Sequence, residues 1–576
     1  FISPSFYHFI VSMRWISLLF LLPSISFCSI VQTAFGEVEG FEHQTEKGIP
    51  AHVFLGIRYG KSTNGSSRFQ KPEMVERWEP SRLIANDFGA SCDSFTPGRV
   101  PSTIYSEDCL FLNIITPKLG GEKLPVFFYI HGGFYEVGSS TYLGYKRLAE
   151  RFAAEGIVVV TINYRLGPFG LFSLGDSTAP GNLGLWDQTL ALRFLHEVLP
   201  SFGGDPSRMT VGGHSAGSAS ASALQFSPHS NNLFSQAILI SGSSLAEFAQ
   251  SELVVDESKK LLLEFDCPLD STEVALSCLQ RFTPDEIIRA VEKIGSSRRH
   301  PYVVKYNPRI DGDFFPLPIH ELVKSSPKKR TLQGATDQES ALFVMHEEMS
   351  WIAGISLTKA EQESFSRRDL IDFIETVVIT DEEYQESASS LRDILIDFYA
   401  GKEQDAKDSK FYLRAYSDLN SDLQFLIPMY HEIQLKLTNN WPSYLYILQH
   451  NIKSFPRQDF AVQGMYHGDE MEHFTDSIVL FSLKESEKED HEFGAHFVSS
   501  MVNFIKNGDP SSSSFSWPMV TKEHSFQHAS ITANISLMKD AYRSEATSLW
   551  LESVPKSLSG RKITNPRLPG VGAHIV

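Results

Sequence analysis

The residues with the most chemical content are a serine and the glycines two places to either side of it, Gly213-His214-Ser215-Ala216-Gly217. A serine hydroxyl becomes a nucleophile when a turn between a strand and a helix lifts it above the sheet edge and a base stands within reach. Side chains two residues before and after it would collide with neighbouring elements, so such a turn calls for glycine at 213 and 217. The start of the following helix also offers backbone N–H groups to developing negative charge. Earlier in the chain His131-Gly132-Gly133-Phe134 follows directly on an apolar run, and its two glycines let the main chain approach a substrate closely. The N–H groups of Gly132, Gly133 and Ala216 are therefore the expected oxyanion hole. Together these parts describe acyl transfer through a covalent intermediate, which needs a histidine base and a carboxylate to orient it. Where the serine sits on a turn of this kind, the acid comes next in the chain and the histidine last. Glu339, in Gly334-Ala335-Thr336-Asp337-Gln338-Glu339-Ser340, and His467, in Gly464-Met465-Tyr466-His467-Gly468-Asp469-Glu470, each follow a strand-like segment. Among 69 acidic residues and 19 histidines, spacing alone separates neither from a solvated loop side chain.

Positioning these groups takes a sheet. Residues 125–130 (PVFFYI) and 157–162 (IVVVTI) are continuous apolar runs, as strands covered on both faces are. Residues 187–202 carry Leu190, Phe194, Leu195 and Val198 at helical spacing, and residues 209–211 are a short β-branched run. Residues 216–224 predict a helix and residues 236–240, 331–335 and 442–448 further strands. This alternation predicts an α/β fold with a large, mostly parallel central sheet and helices on both faces. Residues 346–407 differ, being rich in charged residues with helical apolar spacing around Leu370, Ile371, Phe373 and Ile374 and around Leu391, Ile394, Leu395 and Phe398. They predict amphipathic helices over the sheet, either a helical cap walling a cleft or a packed layer with a solvated outer face. No internal repeat or long Pro/Gly/Ser linker interrupts the chain, which favours a single domain.

The 576 residues are 42% hydrophobic and 21% charged, proportions that allow a sizeable core. A formal net charge of -18 disfavours nucleic acid as a partner. Met13 and Arg14 precede an apolar run at residues 15–27 that ends in small residues, the pattern of a secretory signal cleaved near Ser26 to Ser29, with translated residues upstream of Met13. Residues 1–28 are assigned to that signal and residues 29–576 to the domain. The run contains Pro23 and is shorter than the ~20 residues that cross a bilayer, so no stable membrane anchor is expected. Apart from Cys28 in that segment, the cysteines are Cys92, Cys109, Cys267 and Cys278, an even count that fits two local disulfides in an oxidising compartment. Sequons at Asn64-Gly65-Ser66 and Asn534-Ile535-Ser536 agree with a secreted or luminal address.

Over residues 54–550 the sequence resembles the type B carboxylesterase family, which includes cholinesterases and invertebrate gut esterases. The markers are Phe54-Leu55-Gly56-Ile57 with Arg68-Phe69, Ser106-Glu107-Asp108-Cys109-Leu110 with Leu112-Asn113, Asn163-Tyr164-Arg165, Gly181-Asn182-Leu183-Gly184 with Asp187-Gln188, and Phe202-Gly203-Gly204-Asp205-Pro206. The resemblance implies an α/β-hydrolase fold, hydrolysis of small-molecule carboxylic esters without cofactor or metal, Glu339 and His467 as triad acid and base to Ser215, and disulfides joining Cys92 to Cys109 and Cys267 to Cys278. Two positions depart from the family pattern. His214 stands where many relatives carry Glu or Gln, either a second titrating group beside Ser215 or a hydrogen-bonded packing residue, and Arg58 replaces a frequent proline. Cholinesterases place a cation-binding tryptophan between the first pair of cysteines, whereas here that loop contains only Phe95 and Tyr105 as aromatics, so uncharged esters are expected. The family also holds adhesion proteins that lack the nucleophile; Ser215, Glu339, His467 and both oxyanion glycines are all present here. His491 and His496 are five apart, not the four of a zincin helix, and Gly60-Lys61-Ser62 lacks the spacing of a phosphate-binding loop.

Overall fold

The continuous apolar runs become the middle of a thirteen-stranded sheet in the computed structural model, which describes residues 28–78, 82–92, 104–295, 305–350, 353–402, 407–452, 457, 460–476, 488–533 and 537–558. In chain order the strands are β1 Cys28–Thr33, β2 Gly36–Gln44, β3 Pro50–Arg58, β4 Arg82–Ile84, β5 Phe111–Thr116, β6 Leu124–Ile130 and β7 Val158–Ile162. They continue with β8 Gly204–His214, β9 Gln236–Ile240, β10 Arg330–Thr336, β11 Ser443–Leu448, β12 His528–Ile531 and β13 Leu537–Lys539. In space the order is β1-β2-β3-β5-β7-β6-β8-β9-β10-β11-β12-β13, with β4 beside β2. From β7 across to β12 neighbours are parallel; the strands leading up to β7 and the final β12–β13 pair are antiparallel. This is the α/β-hydrolase architecture.

The period of two along a strand sends alternate side chains to opposite faces. Val126, Phe128 and Ile130 of β6 join Val158, Val160 and Ile162 of β7 in one core cluster, and Phe127 and Tyr129 join Val159 in another. Helices α1 (Leu183–Val198) and α2 (Ala216–Phe226) fill the first cluster. A farther layer on that side comprises α3 (Arg367–Phe373), α4 (Ala388–Leu395) and α5 (Ser409–Ser421), while α6 (Ile427–Thr438) packs directly against the sheet and α2, Lys436 reaching Thr331 of β10 and Glu432 meeting Ser222. The long C-terminal helix α7 (Lys488–Asn507) covers the second cluster with Phe493, Phe497 and Met501. Of the charged segment after residue 346, Leu370, Ile371, Ile374, Leu391 and Leu395 are all buried in the main core, so α3 and α4 pack as a layer.

Three sequence expectations shift. Strands β1 to β5 were not evident; the half-buried β2 (GEVEGFEHQ), for one, alternates Val38 with Glu37 and Glu39 and carries no apolar run. The helix expected over residues 187–202 begins earlier, at Leu183, and its α-turns end at Val198, where Pro200 leads the chain through a 3₁₀ turn, Leu199–Phe202. The short run at residues 209–211 is the centre of the eleven-residue β8. Its glycines are held there by close neighbours: a Cβ on Gly212 would lie 2.7 Å from the Phe127 ring.

Cys92 is bonded to Cys109 and Cys267 to Cys278, the pairing that the resemblance implies. Arg68 forms a buried ion pair with Glu107, inside the first disulfide loop, and donates to the Phe282 carbonyl just beyond the second. Arg58, the departure noted above, pairs with Asp108 through both carboxylate oxygens and lies over the Phe111 ring, so a charge fills the place of the proline. Asn64 is exposed at the start of a short 3₁₀ turn, Gly65–Ser67, while Asn534 and residues 1–27 of the expected signal lie outside the described residues. Cys28 opens β1 and is exposed. Among the described residues no helix is long and apolar enough to cross a membrane.

Candidate active site

Ser215 stands between β8 and α2 with φ 58° and ψ -123°, a left-handed conformation that costs a non-glycine residue energy and is held by its surroundings. Its N–H donates to the Ile240 carbonyl at 2.9 Å. The two flanking glycines admit no side chain, since a Cβ on Gly213 would lie 2.5 Å from the Gly217 carbonyl oxygen and one on Gly217 would lie 2.1 Å from that of Ile130. The loop after β6 presses against this turn: a Cβ on Gly132 would sit 2.6 Å from the His214 oxygen and 3.0 Å from Ser215 Cβ. Gly133 takes φ 118°, and Phe134 and Tyr135 after it also have positive φ, so three successive residues hold the loop in an open curl. Ala216 opens α2, where first-turn N–H groups have no partner within the helix. The sequence-derived donors Gly132, Gly133 and Ala216 thus all stand at the carboxyl ends of β6 and β8, around Ser215.

Glu339 and His467 come to the same edge from β10 and from the loop beyond β11. His467 Nδ1 is 2.6 Å from Glu339 Oε2, and the His467 N–H donates to the Glu339 carbonyl at 3.3 Å. Glu339 is fully buried; its Oε1 accepts the Thr336 N–H at 2.7 Å and the Ser241 hydroxyl at 2.6 Å. With Nδ1 held by the carboxylate, the other imidazole nitrogen is the one left to take up a proton. That nitrogen, Nε2, is buried and makes no hydrogen bond, Ser215 Oγ included. Catalytic hydrogen bonds are often long or poorly aligned until a substrate is bound.

His214 settles between its two sequence readings in part. Its ring packs on that of His467 with centroids 4.4 Å apart, and its buried Nε2 has no hydrogen bond. Burial, followed by the neighbouring His467, holds its pKa well below the ordinary histidine range, so it is a neutral packing residue and does not titrate near neutrality.

Two carboxyls nearby, the half-buried Asp337 and the buried Glu472, do titrate there. Burial raises both Asp337 and Glu472 to about 7. Asp337 ties the acid turn to the histidine loop, its Oδ1 accepting the Met465 N–H at 2.8 Å while its main-chain oxygen accepts the Tyr542 hydroxyl at 2.9 Å. Because its folded pKa lies above the 3.8 of a free aspartate, folding favours the protonated form. The stability this group lends is full below that free value and is lost as pH rises through about 7. Asp337→Asn, which keeps an oxygen for Met465, should therefore gain on the wild type by up to about 4 kcal/mol between about pH 4 and about pH 7 and level off above. Denaturant melts of both proteins across that range check it; parallel stability curves would refute it.

A set of rings missed by the sequence reading surrounds His467. Phe425 and Phe343 lie 4.7 Å and 5.3 Å from the His467 ring, and Phe134 packs on Phe343 at 5.4 Å and on Phe248 at 6.1 Å. Phe425 sits in a π-helical turn, Asp422–Leu426, joining α5 to α6. Pro428, having no N–H to return to the preceding turn, follows directly and gives the helix reason to widen. Ser241 and Glu470 were also unassigned. Ser241 directly follows β9, in the same position that marks Ser215 after β8, and Glu470 is three residues beyond His467.

The sequence profile of the carboxylesterase family matches residues 28–550. Gut esterase 1 of Caenorhabditis briggsae is 34% identical over 496 residues, spanning 85% of this chain and 87% of that protein. Gut esterase 1 of Caenorhabditis elegans is 33% identical over 532 residues, spanning 91% of this chain and 92% of its own length. Cholinesterase of Mus musculus is 28% identical over 551 residues, spanning 92% and 87%.

Proposed function

The chain belongs to the carboxylesterase family and is a carboxylic ester hydrolase, and from that premise we propose that it works in the secretory pathway as a serine esterase with Ser215, Glu339 and His467 as its triad. The observation that carries the reading is the 2.6 Å contact between His467 Nδ1 and the buried Glu339, at the same sheet edge as a strained serine turn. Ser215 Oγ attacks the ester carbonyl carbon as His467 Nε2 takes its proton, and the new oxyanion is met by the N–H groups of Gly132, Gly133 and Ala216. Collapse breaks the bond to the alkoxide, which leaves with the proton from His467. Water, deprotonated by the same nitrogen, then releases the acid from the acyl-serine. Glu339 fixes the imidazole tautomer and balances the imidazolium charge.

The domain of this enzyme is residues 29–576, freed of a signal at residues 1–28. Two disulfides and an exposed Asn64, a glycosylation acceptor together with Asn534, suit that address. Its substrates are small uncharged esters, because the first disulfide loop has no tryptophan to offer a cation and its Tyr105 is half-buried. Treatment of the protein with an organophosphate should place the label on Ser215 and stop turnover of a neutral ester panel, while acetylcholine shows no advantage in kcat/KM over its uncharged isostere. A label on another residue would overturn the triad, and a strong choline preference would overturn the substrate class.

A further inference from the structure

Behind the His467–Glu339 pair lies a second buried pair that the reaction so described does not use. Glu470 is fully buried in the turn Asp469–His473. Ser241 stands between the two carboxylates, its Oγ 2.6 Å from Glu339 Oε1 and 3.2 Å from Glu470 Oε1. The same Oε1 is 3.6 Å from His214 Nε2, and the His214 ring rests on that of His467. The groups thus close a ring in the order His467, Glu339, Ser241, Glu470, His214.

Hydrogen counting in this ring leads to one arrangement. Ser241 has a single hydrogen, and the shorter contact commits it to Glu339. Glu470 Oε1 then faces the lone pairs of the serine oxygen, and its Oε2 is buried without a hydrogen bond. Were Glu470 ionised, two buried carboxylates would converge on one hydroxyl, an arrangement that needs a counter-charge. The groups facing Glu470 supply none. Glu339 and Asp469 are acidic, Tyr129 and Tyr446 are neutral, and His214 is disfavoured as a cation by its burial against His467. Arg457, the nearby cation, is paired through both of its terminal nitrogens with Asp469.

We propose that Glu470 is a protonated positioning residue, donating its carboxyl hydrogen to Ser241 Oγ so that the Ser241 hydrogen is fixed on Glu339 and the side facing His214 stays uncharged. Burial and the charge on Glu339 both drive the carboxyl well above the ordinary glutamate range, in agreement with that hydrogen count. The consequence falls on His467. An ionised Glu470 would draw a proton to His214 and set a second cation against the imidazolium formed in catalysis, whereas a neutral one leaves His214 an uncharged support. Glu470 touches no substrate and acts through Ser241 and Glu339. The inference rests on the reading of His467 and Glu339 as base and acid given above.

Infrared difference spectra of wild type against Glu470→Gln, taken at about pH 8.5, where Asp337 and Glu472 are ionised in both, test the proton directly. The carbonyl band of a protonated carboxylic acid should be present in the wild type and missing from the variant. In kinetics, Glu470→Leu should lower kcat about tenfold with KM held. Glu470→Gln, whose amide can donate to Ser241, should recover most of that loss with the acid limb of kcat/KM where the wild type has it. Absence of the band, or an acid limb in Glu470→Gln displaced about one unit lower because a negative charge has gone, overturns the proposal. The infrared arm is independent of the triad: an unlabelled Ser215 beside an intact band would sink the catalytic reading and leave the proton on Glu470 in place.

Discussion

Ser215→Ala should lower kcat for a neutral ester by on the order of 10⁶ while the protein folds and binds as before. The loss is large because the hydroxyl is the atom that forms the acyl bond, and no neighbouring group can replace it. The fold should survive, since the change removes one oxygen from a turn whose N–H bond to Ile240 and flanking glycine contacts are all main chain. Alanine at φ 58° bears the same strain as serine, so the melting temperature should stay within a few degrees. His467→Ala should fall almost as far, and the double variant little further, because groups that act as a unit lose their effect together. Turnover, burst kinetics and a melt on each variant provide the check. Wild-type turnover in purified Ser215→Ala would remove the nucleophile assignment and with it the roles given to His467 and the oxyanion loop.

How much of this site could be read from the sequence follows the physics of each part. The serine turn was legible because its constraint is steric and local: a Cβ on Gly213 or Gly217 would meet main-chain atoms at 2.5 Å and 2.1 Å, and no other residue type satisfies that. Glu339 and His467 are joined across 128 positions by a side-chain and a main-chain hydrogen bond, and nothing in the spacing of either loop encodes them; there the family resemblance supplied the residues. The parallel strands β6, β7 and β9 were legible as apolar runs and β12 was not, whereas β2 lies where the sheet is half wetted and alternates Val38 with glutamates. Phe425 could not be foreseen, since its approach to His467 depends on the widened turn before Pro428 and on the register of α5 with α6. The Ser241–Glu470 contact escaped for a related reason, being a meeting of the end of β9 with the turn Asp469–His473, which are far apart in the chain.

The oxyanion loop offers the next largest effect, through Gly133→Ala. A Cβ there would lie 2.1 Å from the Val137 carbonyl oxygen, main-chain atoms that cannot swing aside as a side chain can. The Gly133 carbonyl also accepts the N–H groups of Glu136 at 3.0 Å and Val137 at 2.9 Å, so any shift opens that turn and turns the Gly133 N–H away from Ser215. Loss of one preorganised donor to the oxyanion typically lowers kcat by about 10²–10³, and because the charge exists only in the transition state KM should change little. A strained backbone alone could mimic part of this, since alanine at φ 118° is disfavoured wherever it occurs. Gly156→Ala separates the two causes: Gly156 has φ 81° but nothing within 4 Å of its added Cβ, and it lies at the end of a 3₁₀ turn before β7. Both variants should lose about 1 kcal/mol of stability for the forced conformation. Only Gly133→Ala should lose kcat, with organophosphate labelling of Ser215 slowed in proportion. Equal turnover in the two would show that the Gly133 N–H does not meet the oxyanion.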